Sequence, residues 1–133
     1  MIFGVGIDLL NINRIEKLYN KFGDKLLYKI LSNMEIEYLN VTKKNVLNFL
    51  SKRFCVKEAF SKSIGTGIAG PVSFKNISCM NDDCGKPYVV CNDILKEFIE
   101  KRFSVEFDKI NIDISISDDK PFVNAIIIIS TKE

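Results

Sequence analysis

The amino-acid sequence predicts an α+β fold, in which a small antiparallel sheet packs against one long helix and several short helices. Alternating apolar residues mark strands near both ends of the chain, and good helix formers fill residues 44–64 without Gly or Pro. The 133 residues contain no internal repeat and no low-complexity linker. We therefore expect a single domain spanning residues 1–133, because a chain of this length is too short for two independent cores.

The first predicted strand covers residues 2–10 and has two different faces. One face consists of large apolar side chains, namely Phe3, Val5, Ile7 and Leu9. We expect that face to form core. The opposite face is nearly bare, because it carries Gly4, Gly6 and Asp8 beside Ile2. Glycines inside a strand usually mean that another backbone or a ligand comes close, so we expect Asp8 to lie beside that approach.

Three short helices are predicted after this strand. The first begins at an N-cap, Asn11 or Asn13, and ends at Gly23. The segments DKLLYKIL and SNMEIEYL predict two more, and the second of these opens with a capping box formed by Ser32 and Glu35.

The longest predicted helix runs from about Lys44 to Ile64 and ends at the glycine-rich segment GTGIAGP. The segments VSFKNISCM and PYVVC predict two strands joined by the turn NDDCGK. Asn92 is the expected cap of the helix DILKEFIEKRF. The segments INIDISIS and FVNAIIII then predict an antiparallel hairpin with its turn at DDKP.

The composition excludes several classes of function. The chain has no histidine, and its four cysteines form no CxxC pair, which excludes histidine-based triads and the usual zinc spacings. Carboxylates, lysines or a bound metal must supply any catalysis. A net charge of +2 is too small to indicate nucleic-acid binding. The longest apolar run, AIIIIS, is far shorter than the roughly 20 residues that cross a bilayer, so we expect a cytoplasmic protein with reduced thiols and no membrane partner.

One line of side chains on the long helix begins apolar and ends polar. Its members are spaced by three or four residues, and they are Leu47, Leu50, Phe54, Glu58, Ser61, Lys62 and Gly65. Burying a carboxylate on such a line costs free energy unless it is paired or binds a cation. Lys62 is the nearest cation in sequence, and an ordinary solvated Glu58–Lys62 pair is the alternative. The glycines of the following loop, GTGIAG, suit a phosphate group.

Three segments carry a family resemblance: GVGIDL at the start, RFCVKEAFSKSIGTGI in the middle and GKPYVV after the turn. In this order and at these separations, they resemble the holo-[acyl-carrier-protein] synthases, the short bacterial type of 4′-phosphopantetheinyl transferase. The middle segment is specific to that family, and the other two are weak individually. The resemblance runs from Met1 to the C-terminal hairpin.

The resemblance implies a function for the central residues. Such an enzyme transfers the phosphopantetheine arm of coenzyme A to a serine of apo acyl carrier protein, releases adenosine 3′,5′-bisphosphate and supports fatty acid biosynthesis. By resemblance, Asp8 and Glu58 bind Mg²⁺, a cation that prefers oxygen ligands. Lys62 would neutralise phosphate charge and could protonate the leaving phosphate. The base that takes the serine proton is either Glu58 or a water bound to the metal.

Further positions follow from the same resemblance. Arg53 matches a phosphate ligand of the family. Lys62 and five other positions match the lining of the coenzyme pocket, namely Ser61, Gly65, Thr66, Gly67 and Pro87. Many relatives carry histidine just before the last strand, where this chain has Asp118, so a histidine contact to the coenzyme is not carried over. Members of this length are usually homotrimers with active sites at subunit boundaries.

The acidic carrier protein requires a basic docking surface. Four cations recur at intervals of three and four residues, namely Arg14, Lys17, Lys21 and Lys25. If the helix continues past Gly23 they form one stripe, which is either a docking surface or merely a solvated face. Two other functions stay open, a different coenzyme A-dependent transferase and a non-catalytic binding module. The intact set of Asp8, Glu58 and Lys62 argues against the non-catalytic alternative.

Overall fold

The computed structural model describes residues 1–132, and within them the predicted α+β order of elements is confirmed. The elements are β1 (Ile2–Asn11), α1 (Ile12–Phe22), α2 (Asp24–Ile30), α3 (Asn33–Thr42), α4 (Val46–Ile64), β2 (Ile77–Asn81), β3 (Pro87–Cys91), α5 (Asp93–Phe103), β4 (Ile110–Asp119) and β5 (Phe122–Thr131). Short 3₁₀ turns at Phe74–Asn76 and Phe107–Lys109 precede β2 and β4. Within residues 1–132, no helix combines the length and the apolar character that a membrane crossing needs.

The strands form two antiparallel sheets rather than the one small sheet that we expected. The larger sheet has the order β1-β5-β4, and β2 pairs with β3 in a separate hairpin. In the larger sheet, Gly6 lies opposite Ile127 and Asp8 lies opposite Ala125. The first strand therefore pairs with the last, so that residues from the two ends of the chain become neighbours.

The long helix α4 lies across the glycine face of β1. A Cβ atom added to Gly6 would stand 1.8 Å from the carbonyl oxygen of Ala59, and one added to Gly4 would stand 1.9 Å from that of Ser63. Both distances are far below any van der Waals contact, so only glycine permits this approach. The predicted close approach at the two glycines is confirmed, and its partner is the backbone of α4.

The prediction that the large apolar side chains of β1 face the core is wrong for Val5, Ile7 and Leu9, whereas Phe3 is half-buried and packs against the core. Val5 and Ile7 are each 54% exposed, and Leu9 is 65% exposed. Helix α4 covers the glycine face, where the two backbones touch, and leaves these three side chains exposed on the opposite face. On that outer face, Val5 and Ile7 lie beside the half-buried Ile128 and Ile126 of β5. The β1 and β5 part of this face is therefore apolar, whereas β4 contributes the exposed polar residues Asp113 and Ser115.

The local signals at the helix ends agree with the structure. The side chain of Asn11 caps α1, the Ser32–Glu35 capping box opens α3, and Asn92 caps α5. The helical pattern does not continue past Gly23, whose φ of 60° and ψ of −140° separate α1 from α2. The four cations predicted as one stripe therefore lie on two helices, with Lys25 on the second.

Candidate active site

Asp8 and Lys62 meet where β1 lies on the last turns of α4. The Lys62 Nζ atom is 3.1 Å from Asp8 Oδ1, and it also donates a hydrogen bond to the carbonyl oxygen of Ile7 at 2.9 Å. Lys62 is one helical turn beyond Glu58, so both side chains point from the same side of α4. The fold thus brings together the three residues that the sequence singled out for the reaction.

The Glu58–Lys62 surface pair that the sequence left open is absent from the ion pairs of residues 1–132, because Lys62 pairs with Asp8 instead. Burial raises the pKa of the Glu58 carboxyl, and the negative charge of Asp8 raises it further. The positive charges of Lys62 and Arg14 act in the opposite direction on the same pKa. Asp8 and Glu58 are therefore near enough to repel each other, and a cation held between them would relieve that repulsion.

This carboxylate pair fits the ligand preferences of Mg²⁺. Magnesium is typically bound through one or two carboxylates together with substrate phosphates and water. Within residues 1–132, no group of three or more His, Cys, Asp or Glu side chains is placed to hold a metal without such help. A Mg²⁺ ion at Asp8 and Glu58 would therefore take its remaining ligands from water and from a phosphate substrate.

The glycine-rich loop begins at the C-terminal end of α4. Gly65 has φ of 92°, and its N–H donates to the carbonyl oxygens of Ser61 and Lys62, each at 3.1 Å. Gly65 and Thr66 are exposed, whereas Ser61 is fully buried and its hydroxyl donates to the carbonyl of Glu58 at 2.7 Å. The Ser61 side chain therefore does not reach the surface that a coenzyme would contact in this conformation.

Arg102 of α5 also contacts this loop, and the sequence analysis missed it. Its Nε atom donates to the carbonyl oxygen of Ile64 at 3.2 Å, and its Nη2 atom lies beside Gly65. The adjacent Phe103 stacks on Phe3 with 4.9 Å between ring centroids. The only sequence signal was the basic last turn of α5, which does not reveal its contact with α4.

An apolar groove of about 370 Å³ opens beside Glu58. Phe54 and Phe74, whose rings stack at 5.5 Å, form part of its lining. Its cationic residues are Arg14, Lys25 and Lys29. Arg14 and Lys25 were predicted as carrier-docking residues, whereas Lys29 was missed although it follows Lys25 by one helical turn. The other two predicted docking residues, Lys17 and Lys21, are exposed on α1 and lie outside the groove lining.

Arg53 and Pro87 line a different groove, of about 230 Å³. Arg53 is 5% exposed, and its guanidinium donates to Asn81 Oδ1 at 2.8 Å and to the Cys79 carbonyl at 3.1 Å. Asp118 lies in this groove and pairs with Lys52, with 3.6 Å between charged atoms. Of the residues expected to bind the coenzyme, Arg53 and Pro87 therefore lie in this second groove, whereas the others lie at the C-terminal end of α4 and in the loop that follows it.

Comparisons with known proteins identify the family of the chain. A profile of the 4′-phosphopantetheinyl transferase superfamily matches residues 4–118. Holo-[acyl-carrier-protein] synthase from Orientia tsutsugamushi (strain Boryong) is 39% identical over 131 residues, which cover 98% of both chains. The protein of that name from Staphylococcus haemolyticus is 49% identical over 94 residues, which cover 69% of this chain and 79% of that protein.

Solved structures show the same similarity. The holo-[acyl-carrier-protein] synthase from Neisseria meningitidis superposes with a TM-score of 0.88 at 34% identity, covering 98% of this chain and all of the other. The Bacillus anthracis synthase, solved in complex with CoA (3′,5′-ADP), superposes with a TM-score of 0.76 at 34% identity, covering 100% of this chain and 99% of that one. Near-complete coverage in sequence and in structure shows that the chain belongs to the holo-[acyl-carrier-protein] synthase family of the 4′-phosphopantetheinyl transferase superfamily.

Proposed function

We propose that the protein transfers the 4′-phosphopantetheine arm of coenzyme A to a serine hydroxyl of apo acyl carrier protein, in a Mg²⁺-dependent reaction. The observation that carries the proposal is the cluster of Asp8, Glu58 and Lys62, which unites two of the sequence segments shared with the family. The names of the relatives and the coenzyme A complex of the Bacillus anthracis protein support the two substrates.

Asp8 and Glu58 are the proposed metal ligands, and a bound Mg²⁺ would neutralise charge on the pyrophosphate of coenzyme A. Lys62 is the proposed phosphate-binding cation. Its ammonium has three N–H donors, of which Asp8 and the Ile7 carbonyl accept two, so one is left for a phosphate oxygen. The same ammonium is the proposed proton donor to the leaving phosphate.

Glu58 is the proposed general base for the serine hydroxyl. Burial and the charge of Asp8 raise its pKa in the metal-free protein, whereas a bound Mg²⁺ would favour the ionised form that accepts a proton. A water bound to that Mg²⁺ is the alternative base. The carboxylate faces the apolar groove through which the acceptor would approach. The loop of Gly65, Thr66 and Gly67, of which the first two residues are exposed and Gly67 is half-buried, is proposed to contact the coenzyme phosphates.

The carrier protein is proposed to dock on the cations around this groove. Arg14, Lys25 and Lys29 line it, and Lys17 and Lys21 extend the positive charge along α1. Carrier proteins are acidic around their modified serine, so long-range attraction would mainly raise the association rate. The apolar body of the groove suits the aliphatic part of the pantetheine arm.

We also propose that the protein is a homotrimer whose active sites lie at subunit boundaries. Two features of the single chain support this assembly. The outer sheet face exposes Val5, Ile7 and Leu9, an apolar surface that association would bury. In addition, Arg53 and Pro87 lie in a groove apart from Glu58, so a neighbouring subunit could bring the two halves of a coenzyme site together.

The cellular setting and the domain boundaries complete the proposal. Cys55, Cys79, Cys84 and Cys91 are free, as expected for a protein of the reducing cytoplasm. We propose a single transferase domain over residues 1–133 that serves fatty acid biosynthesis. Residues 4–118, which match the superfamily profile, support this extent.

The decisive experiment incubates the protein with coenzyme A, Mg²⁺ and apo carrier protein and follows the carrier by intact-mass spectrometry. We expect a mass gain of one phosphopantetheine arm, and none with EDTA or with a carrier whose modified serine is replaced by alanine. No gain with a carrier that another synthase modifies would refute the proposal. Coenzyme A binding without any transfer would favour a binding module, and transfer of a different group would favour another coenzyme A-dependent transferase.

A further inference from the structure

Lys57, the residue before Glu58 on α4, is fully buried together with the carboxylate of Glu35. Its ammonium donates to the carbonyl oxygens of Ile30 at 2.7 Å and Phe74 at 2.8 Å, and to Glu35 Oε1. All three of its N–H donors are therefore used. A buried ion pair often contributes no more stability than apolar side chains of the same volume, so stability alone does not account for this one.

Glu35 connects the pair to two further segments. Its Oε1 atom accepts from the backbone N–H of Ser32 at 2.8 Å, and its Oε2 atom accepts from that of Cys79 at 2.9 Å. The pair thereby joins the end of α2, the start of α3, the turn before β2 and β2 itself to α4. Each acceptor and donor in this network is satisfied, which makes such a buried network rigid.

Lys57 donates to two backbone carbonyls, and both belong to residues that line the apolar groove beside Glu58. Ile30 and Phe74 both line the groove into which Glu58 projects its carboxylate. Lys57 itself is not part of the lining, so it contacts these residues from behind. Lys57 thus contacts the groove through the backbone carbonyls of two lining residues, and Glu58 is itself a lining residue.

We propose that Lys57 is a positioning residue, which holds Ile30 and Phe74 at a fixed separation from Glu58 and so sets the shape of the groove that receives the acceptor. The proposal rests on the proposed function, because it assigns that groove to the carrier serine and the pantetheine arm. Glu35 accepts a hydrogen bond from the Lys57 ammonium and so orients that group. Misplacing groove residues by even about 1 Å is enough to cost a large factor in rate.

Two variants test the proposal. Lys57→Met removes the ammonium and keeps a long unbranched side chain, and Lys57→Met/Glu35→Gln also removes the carboxylate charge that the single change leaves unpaired in the core. Lys109→Met is the control, because Lys109 forms an exposed ion pair with Glu106 at 3.5 Å, and neither residue lines the groove or lies in the segments that Lys57 joins. Thermal melts first define a temperature at which each variant is folded.

Amide hydrogen exchange and kinetics are then measured at that temperature. In the folded Lys57 variants, we expect exchange in residues 26–30 and 74–76 to be about tenfold faster than in the unaltered protein. We also expect kcat/KM for the carrier to fall about tenfold or more, while KM for coenzyme A stays within about twofold. Lys109→Met should stay within about twofold in both measurements, as expected for an exposed side chain that does not contact the groove.

Exchange rates in both segments that match those of the unaltered protein would overturn the proposal. So would losses of carrier and coenzyme efficiency that are equal and only follow the melting temperature, because they would indicate a purely structural role. If the unaltered protein itself fails to modify a competent carrier, the proposed function fails. The exchange measurement still decides whether Lys57 holds the groove walls.

Discussion

The Lys62 Nζ atom lies 3.1 Å from Asp8 Oδ1, and this ion pair joins the last turns of α4 to the first strand across 54 positions of sequence. Lys62 is 52% exposed and Asp8 16% exposed, so solvent screens the pair and its contribution to stability is small. The close approach of the two backbones at Gly4 and Gly6 makes the pair possible. The main effect of the ion pair is therefore to hold the Lys62 ammonium near Glu58.

Replacing Lys62 by methionine should separate catalysis from stability. We expect kcat to fall by about 10²-fold or more, because the variant loses the cation proposed to contact the transferred and leaving phosphates. The free energy of unfolding should change by less than about 1 kcal/mol, as for other exposed ion pairs. Single-turnover transfer and urea denaturation measure the two quantities. Lys101→Met, which breaks an exposed pair with Glu97 on α5, is the control and should alter neither.

Replacing Glu58 by glutamine should stabilise the metal-free protein near neutral pH. The folded state raises the pKa of Glu58, so the unfolded chain ionises this group more readily, and the free energy of unfolding falls as pH rises from the unfolded pKa through the folded pKa. Glu58→Gln removes this dependence. Its melting temperature in EDTA should exceed that of the unaltered protein at pH 7, and the difference should vanish below about pH 4, under the ordinary pKa of glutamate.

The exposed Glu37 of α3 provides a control for this measurement, because Glu37→Gln should leave the melting temperature nearly unchanged at both pH values. An equal gain in stability from Glu58→Gln at pH 7 and at pH 4 would contradict the electrostatic origin. Transfer activity in Mg²⁺ should be lost in the same variant, so its stability and its activity should change in opposite directions.

A single methyl group at Gly6 should disrupt the contact between β1 and α4. The added Cβ atom would overlap the Ala59 carbonyl, and neither backbone can retreat without moving the helix from the sheet. We expect Gly6→Ala to lower the free energy of unfolding by about 3 kcal/mol or more, at the upper end of overpacking effects. Ile2→Ala, on the same strand but 62% exposed, should cost less than about 1 kcal/mol. Equal costs for the two variants in urea denaturation would refute the interpretation.

Charge reversal around the groove should distinguish carrier docking from a solvated helix face. We expect Lys25→Glu and Lys29→Glu to lower the association rate with apo carrier protein by about tenfold at low salt, and to flatten its dependence on ionic strength. Lys17→Glu and Lys21→Glu, outside the groove lining, should have smaller effects of the same sign. Lys101→Glu on α5 is the control and should leave the salt dependence unchanged. Stopped-flow measurements at several salt concentrations test this ranking.

Local signals in the sequence identified most elements of the fold and the chemistry of the site. Capping residues such as Asn11, Ser32 and Asn92 bind backbone N–H groups within the first helical turn. The amino-acid sequence alone therefore locates the helix starts. The acid Asp8 on the glycine face of β1 and the line of side chains that includes Glu58 and Lys62 were likewise visible, because their spacing follows the strand and helix periods.

The tertiary structure decided which of these residues contact one another. Period-two alternation divides β1 into two faces but does not say which face another element covers, and here the helix covers the glycine face and leaves Val5, Ile7 and Leu9 exposed. Lys62 pairs with Asp8 rather than with Glu58, its neighbour one turn away. Lys57 reaches Ile30 and Phe74, and Arg102 reaches α4, through contacts between distant segments. By itself, the sequence determined the elements and the reactive residue types, because those depend on neighbours within one turn or one strand. The packing of α4 on β1 decided faces, partners and grooves, because those depend on how segments far apart in the chain fit together.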